Sequence, residues 1–191
     1  MMEPQKTVNL YIEANPNPNS LKFVANFMLF SDGNSFDFPD VESASDSPLA
    51  LQLFALDEVE RVFFMSNFIT VTKKEGIEWI ELREKVKGVI KEYLESGASL
   101  MEQTNLSAPP PPEDPQLVAK IKEILEEYVK PAVEQDGGAI VFESFNEGVV
   151  KVALQGSCSG CPSSTITLKA GIENILTTMV PEVKSVVADG V

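Results

Sequence analysis

Histidine is missing from all 191 residues. That absence removes imidazole-based catalytic triads, zinc sites with histidine ligands and histidine pH switches. Basic residues are scarce as well, 15 against 29 acidic ones, for a net charge of −14 at pH 7. Such a surface lacks the positive charge that neutralises nucleic-acid phosphate, and it disfavours docking on anionic lipid. The expectation is a chain with neither a nucleic-acid nor a membrane partner. No apolar run reaches the length needed to cross a bilayer. The opening Met1-Met2-Glu3-Pro4-Gln5-Lys6 has neither an apolar signal core nor an arginine-rich presequence, so a cytoplasmic location is expected. Cysteine is nearly absent too. The two that occur, Cys158 and Cys161, are too few for a disulfide framework, and in a reducing compartment they read as a functional thiol pair.

Both cysteines lie in Gln155-Gly156-Ser157-Cys158-Ser159-Gly160-Cys161-Pro162-Ser163-Ser164-Thr165, around which the chain is organised. Before it, the valine-rich run 149–154 predicts a strand. After it, Pro162 opens a segment with Leu168, Ile172, Ile175, Leu176 and Met179 at helical spacing. Proline suits a first helical position, where its missing N–H would have had no intrahelical acceptor. The thiols are thus expected on a tight turn at a helix N-terminus, where free N–H groups and the helix dipole favour thiolate. Thiolate is the form that attacks disulfides and binds metals.

In chain order, residues 7–14 predict a strand that the Asn-Pro alternation Asn15-Pro16-Asn17-Pro18-Asn19-Ser20 ends. Residues 21–30 form a second apolar stretch, followed by a turn signal at 31–34. Asp46-Ser47-Pro48 starts a helix leading into Leu49, Leu51, Leu53 and Phe54. Residues 59–66 and 68–73 predict two strands joined tightly at Ser66-Asn67. Residues 77–95 then predict an amphipathic helix with the apolar stripe Trp79, Leu82, Val86, Val89, Ile90 and Tyr93. Trp79 on that stripe is expected in the core. This first domain, 7–96, carries no obvious acid–base pair and no phosphate-binding glycine loop.

Residues 97–113, ending with Pro109-Pro110-Pro111-Pro112 before Glu113, have the character of a semi-rigid linker. The second domain, 114–191, starts at the cap Asp114-Pro115 and continues in a stripe of Leu117, Ile121, Ile124, Leu125, Tyr128 and Val129. Pro131 ends or kinks this helix, and Asp136-Gly137-Gly138 turns the chain. An antiparallel hairpin of 139–145 and 149–154, the cysteine turn, the helix from Pro162 and a last strand at 183–188 complete it. The fold class is α+β: two small α+β domains joined by a proline-rich linker, the second in the order helix–strand–strand–helix–strand. Asp136 reads as a turn-former and Lys169 as an exposed helix lysine; neither is taken as a site residue.

Asp136-Gly137-Gly138, Leu154-Gln155-Gly156, Cys158-Ser159-Gly160-Cys161-Pro162-Ser163-Ser164 and Leu168-Lys169-Ala170-Gly171-Ile172-Glu173 resemble the NifU-like carboxy-terminal domain, also called Nfu. Asn15-Pro16-Asn17-Pro18-Asn19-Ser20-Leu21-Lys22-Phe23, Ser47-Pro48-Leu49-Ala50 and Phe68-Ile69-Thr70-Val71-Thr72-Lys73 resemble the amino-terminal domain that accompanies it. The resemblance implies an iron–sulfur scaffold or carrier, not an enzyme, that receives a [4Fe-4S] cluster from upstream assembly factors and passes it to apo-proteins. Its cluster ligands carry over onto Cys158 and Cys161 alone.

Ligand arithmetic agrees. Such a cluster takes four thiolates, and one chain supplies two. Two chains about a twofold axis can complete the set, which implies a cluster-dependent homodimer. Bridging needs both sulfurs on a surface-accessible loop; burial would leave a turn with no metal. Two other chemistries fit a CxxC pair. Structural zinc shared by two chains satisfies the ligand count. A thiol–disulfide oxidoreductase would also place the pair at a helix N-terminus, normally in a parallel βαβ setting rather than after the antiparallel hairpin expected here.

Overall fold

The computed structural model describes residues 7–31, 34–102, 114–159 and 162–190, with the backbone alone for 162–165 and 190. The chain divides into two units, Met1–Asn105 and Leu106–Val191.

In the first, strands β1 (Leu10–Ala14), β2 (Ser20–Ala25), β3 (Ser35–Phe38), β4 (Val59–Met65) and β5 (Phe68–Lys73) form an antiparallel sheet of order β1-β2-β5-β4-β3. Alternation along the strands sends Phe23, Val62, Phe64, Ile69 and Val71 into one core. There they join Leu49 and Leu53 of α1 (Pro48–Phe54) with Leu82, Val86 and Ile90 of α2 (Trp79–Glu95). Ser66-Asn67 makes the expected two-residue connection, with Met65 paired to Phe68 and Ser66 at φ 47°. The turn expected at 31–34 has Asp32 and Gly33 outside the described residues.

Ser47 caps α1, its hydroxyl oxygen accepting from the Ala50 N–H at 3.3 Å and donating to the Leu100 carbonyl at 2.8 Å. Tyr93 donates its hydroxyl to the Ser99 carbonyl at 2.6 Å, and the Glu102 N–H donates to the Asp46 carbonyl at 2.7 Å. Residues 99–102, assigned from composition to the linker, are therefore tied back to the first unit. The proline run lies outside the described residues.

The Asn-Pro segment does more than end β1. Asn15 Oδ1 accepts from the Asn17 N–H at 3.1 Å, and Asn17 Oδ1 from the Asn19 N–H at 3.0 Å. These successive side-chain-to-backbone bonds are Asx turns, which the intervening prolines pre-set. Trp79 does not enter the core as expected. It is half-buried at the rim, and its indole N–H donates to the Pro18 carbonyl at 3.2 Å. An indole N–H needs a partner, and a carbonyl of this loop is within reach from the first residue of α2.

The second unit begins with Asp114, whose carboxylate accepts from the N–H groups of Gln116 and Leu117 at 3.2 Å and opens α3 (Pro115–Ile124). Pro131 neither ends nor sharply stops the helical run. A π-helical turn, Leu125–Val129, intervenes and the chain continues as α4 (Lys130–Gln135). A wide turn accommodates a ring that has no N–H to donate and would otherwise press on the preceding turn. Val118 and Val129 are buried, while Tyr128, expected on the apolar stripe, is 50% exposed.

Strands β6 (Gly138–Asn146) and β7 (Val149–Gly156) form the expected hairpin, turned by Glu147 at φ 49° and Gly148 at φ 90°. Helix α5 (Pro162–Met179) follows, and β8 (Ser185–Gly190) pairs parallel to β7. Ile121, Leu154, Ile172 and Leu176 are fully buried in this second core, with Ile175 at its partly exposed edge. Glu173 of α5 accepts the Val186 N–H at 2.9 Å, fixing the helix to the edge strand. On the sheet, Lys151 lies between Asp189 at 2.9 Å and Glu143 at 3.1 Å. Hydrogen bonds first to Asp189 and then to Glu143 raise its pKa above the ordinary lysine value.

Lys73 is 6% exposed, and its ammonium donates to Asn19 Oδ1 at 2.8 Å. Replacing Asn19 with Ala removes that acceptor from a charged donor. Urea denaturation should show the first unit destabilised by about 1.5–3 kcal/mol, with the second unit's transition unmoved.

Candidate metal centre

The cysteine turn is built on two glycine-bearing corners. At one, α4 ends at Asp136, whose N–H donates to the Ala132 carbonyl at 3.2 Å, and Gly137 follows at φ 79°. At the other, β7 ends at Gly156, with φ 67°. Both glycines occupy the left-handed region, where a Cβ would be strained. The β6–β7 register sets Gly138 opposite Gly156, which brings the two corners side by side. Ser157 then joins them. Its N–H donates to the Gly137 carbonyl at 3.3 Å and its hydroxyl to the Asp136 carbonyl. The Ser159 N–H closes the turn on the Gly156 carbonyl at 3.1 Å. Asp136 thus serves the site through its backbone carbonyl. Ser157 was not legible as a site-former, because a serine between glycine and cysteine gives no sequence signal of a long-range partner.

Cys158 departs from the expectation of a surface-accessible sulfur. The residue is 4% exposed and belongs to the second unit's core cluster with Leu154 and Ile172. Thiol and methylene are apolar enough to fill a core position, and the Ser157 bonds turn the side chain inward. In this conformation the residue is not presented to solvent. Cys161 lies outside the described residues. Helix α5 does begin at Pro162, where the proline was expected to start it. Lys169 is exposed on α5. Among the described residues, no group of three or more His, Cys, Asp or Glu side chains could hold a metal ion. The described side chains alone therefore do not complete a donor set, and a cluster here would need donors besides Cys158.

Topology does not separate the candidate chemistries as the sequence suggested. An antiparallel hairpin does feed the turn, but β7, α5 and β8 form a parallel βαβ unit with the turn at its first corner. The strand partner that decides this, β8, lies about thirty residues further on, and its direction is not written in local composition.

An α+β chain of two units, the second carrying a thiol turn between strand and helix, is the arrangement reached from geometry. Residues 10–97 match the family described as scaffold protein Nfu/NifU N terminal, and residues 121–187 match the NifU-like domain. The chain belongs to the Nfu/NifU family. It is 42% identical over 184 residues to a Drosophila willistoni protein named NFU1 iron-sulfur cluster scaffold homolog, mitochondrial, covering 95% of this chain and 64% of that one. The Drosophila grimshawi protein of the same name is 44% identical over 173 residues, covering 90% of this chain and 58% of that one. The chain thus spans under two thirds of the length of these curated relatives. Their names also overturn the cytoplasmic expectation, since both relatives are mitochondrial. That expectation rested on the composition of residues 1–6, which does not decide the address.

The Ser157 hydroxyl bonds the thiol turn to the Asp136 corner. Changing it to Ala should cost about 0.5–1.5 kcal/mol. Hydrogen exchange at residues 157–159 should quicken by more than exchange in β6 and β7.

Proposed function

We propose that this chain is an iron–sulfur cluster scaffold or carrier, holding a [4Fe-4S] cluster as cargo on Cys158 and Cys161 of two chains. In this reading it accepts the cluster from assembly factors and releases it to apo-proteins, in a mitochondrial setting like that of its relatives. The observation that carries the proposal is the pairing of both Nfu/NifU domains, in order, with a CxxC that directly precedes Pro162 in sequence. Four thiolates complete such a cluster, and the sequence offers two per chain. Release follows from the same count: thiols of an acceptor can replace one chain's pair at a time, without unfolding either chain.

Burial of Cys158 adds a condition. The seated conformation is not the ligating one, so the turn from Gly156 onward must swing outward before iron is bound. The change is local. It would release the Ser157 N–H and hydroxyl and the Ser159 N–H from the carbonyls they now bond. A carrier gains from this, because a thiol folded into its own core is shielded from oxidation while no cargo is held.

Anaerobic reconstitution with iron and sulfide, followed by Mössbauer spectroscopy and native mass measurement, tests the proposal. One [4Fe-4S] cluster per two chains is expected, with the dimer returning toward monomer when a chelator strips the metal. Cys158→Ser or Cys161→Ser should each abolish stable assembly. Four irons on a monomer would contradict bridging, and cluster transfer undiminished in the double variant would refute the ligand assignment. Insulin reduction by the apo chain would instead favour the thiol–disulfide oxidoreductase.

A further inference from the structure

Gly138 differs from the glycines on either side of it. Gly137 and Gly156 sit at φ 79° and 67°, but Gly138 does not lie in the left-handed region. No left-handed backbone therefore calls for glycine here, at the first residue of β6. What excludes a side chain is space. A Cβ at 138 would stand 2.8 Å from Cys158 Sγ, 3.2 Å from Cys158 Cβ and 2.6 Å from the Gln155 carbonyl oxygen. Contacts under 3.0 Å do not occur at a real Cβ, so something must shift.

We infer that Gly138 is a positioning residue for Cys158: its missing side chain forms a notch in β6 that seats the sulfur inward. The notch and the Ser157 bonds act together. One leaves room for the thiol, and the other aims the turn so that the thiol enters it. For ligation the sulfur must leave this notch, so residue 138 sets how much of the chain holds Cys158 seated and how much presents it. The functional consequence rests on the cluster-ligand proposal above; the seat itself does not.

A methyl group placed at 138 by Gly138→Ala should push the population toward the presented state. The 191-residue apo chain carrying Cys161→Ser has Cys158 as its only thiol, and iodoacetamide alkylation followed by mass spectrometry reads its accessibility. Adding Gly138→Ala should raise the alkylation rate by roughly tenfold or more, because reaction of a buried group tracks its local opening. Ile172→Val, a core change in the same unit, serves as a control for general loosening. At a matched fall in Tm it should leave the rate within about twofold. A rate unchanged by Gly138→Ala, or raised equally by the control, would overturn the seat.

A double-mutant cycle separates the sulfur from the Gln155 carbonyl. In a Cys158→Ala background the Sγ contact is gone, so Gly138→Ala should lower Tm by less than it does in the parent. An equal loss in both backgrounds would put the whole constraint on the carbonyl and overturn the inference. Should Gly138→Ala fail to fold, recovery of folding in the double variant supports the seat, and failure of both overturns it. None of these readouts needs a cluster. A chain that binds no iron yet shows the coupling would refute the carrier proposal and keep the seat, and the converse result would do the opposite.

Discussion

The cysteine turn depends on the register of β6 against β7. Because Gly138 faces Gly156, the corner that ends α4 and the corner that begins the thiol turn lie next to each other. A slip of one residue would send every side chain of β6 to the opposite face. Ser157 would lose the Asp136 and Gly137 carbonyls, and the notch at 138 would no longer meet the sulfur. The register is itself held by the two-residue turn at Glu147-Gly148 and by Val150, Val152 and Leu154, all fully buried. The core thus positions the site through strand pairing.

The helical run before the hairpin serves the same end. Pro131 would be expected to break a helix, yet the π-helical turn at Leu125–Val129 lets the run continue to Gln135. Ile121, Ile124, Leu125, Val129 and Val133 all reach the second core along this run. Its last turn delivers Asp136 and Gly137 to the cysteine corner. A π turn is a local cost kept for placement, and here it sets the direction from which the Asp136 corner meets the thiol turn.

A buried ligand and a carrier role are compatible in energetic terms. Seating one thiol in a core yields about the burial of a small apolar group, on the order of 1 kcal/mol. Metal–thiolate ligation in a structural site is far stronger, about 10–16 kcal/mol for zinc at a complete site. Ligation can therefore withdraw the sulfur from its seat. Under the proposed ligation, a seat of that size would not oppose loading.

Local chemistry in the sequence determined most elements of this protein. Ser47 and Asp114 as caps, Ser66-Asn67 and Glu147-Gly148 as turns, and Pro162 as a helix start each act on the backbone close by in sequence, so their residue types announce them. The CxxC pair was legible for the same reason: both candidate ligands stand within one turn of chain. Tertiary structure decided what depends on distant partners. The strand β3 has only four residues and exists because β4 pairs with it. The parallel placement of β8, the rim position of Trp79 and the exposure of Tyr128 follow from packing that no window of sequence contains. The inward seat of Cys158 is the clearest case. It needs a glycine twenty residues upstream, and only the pairing of β6 with β7 brings that empty position to the sulfur.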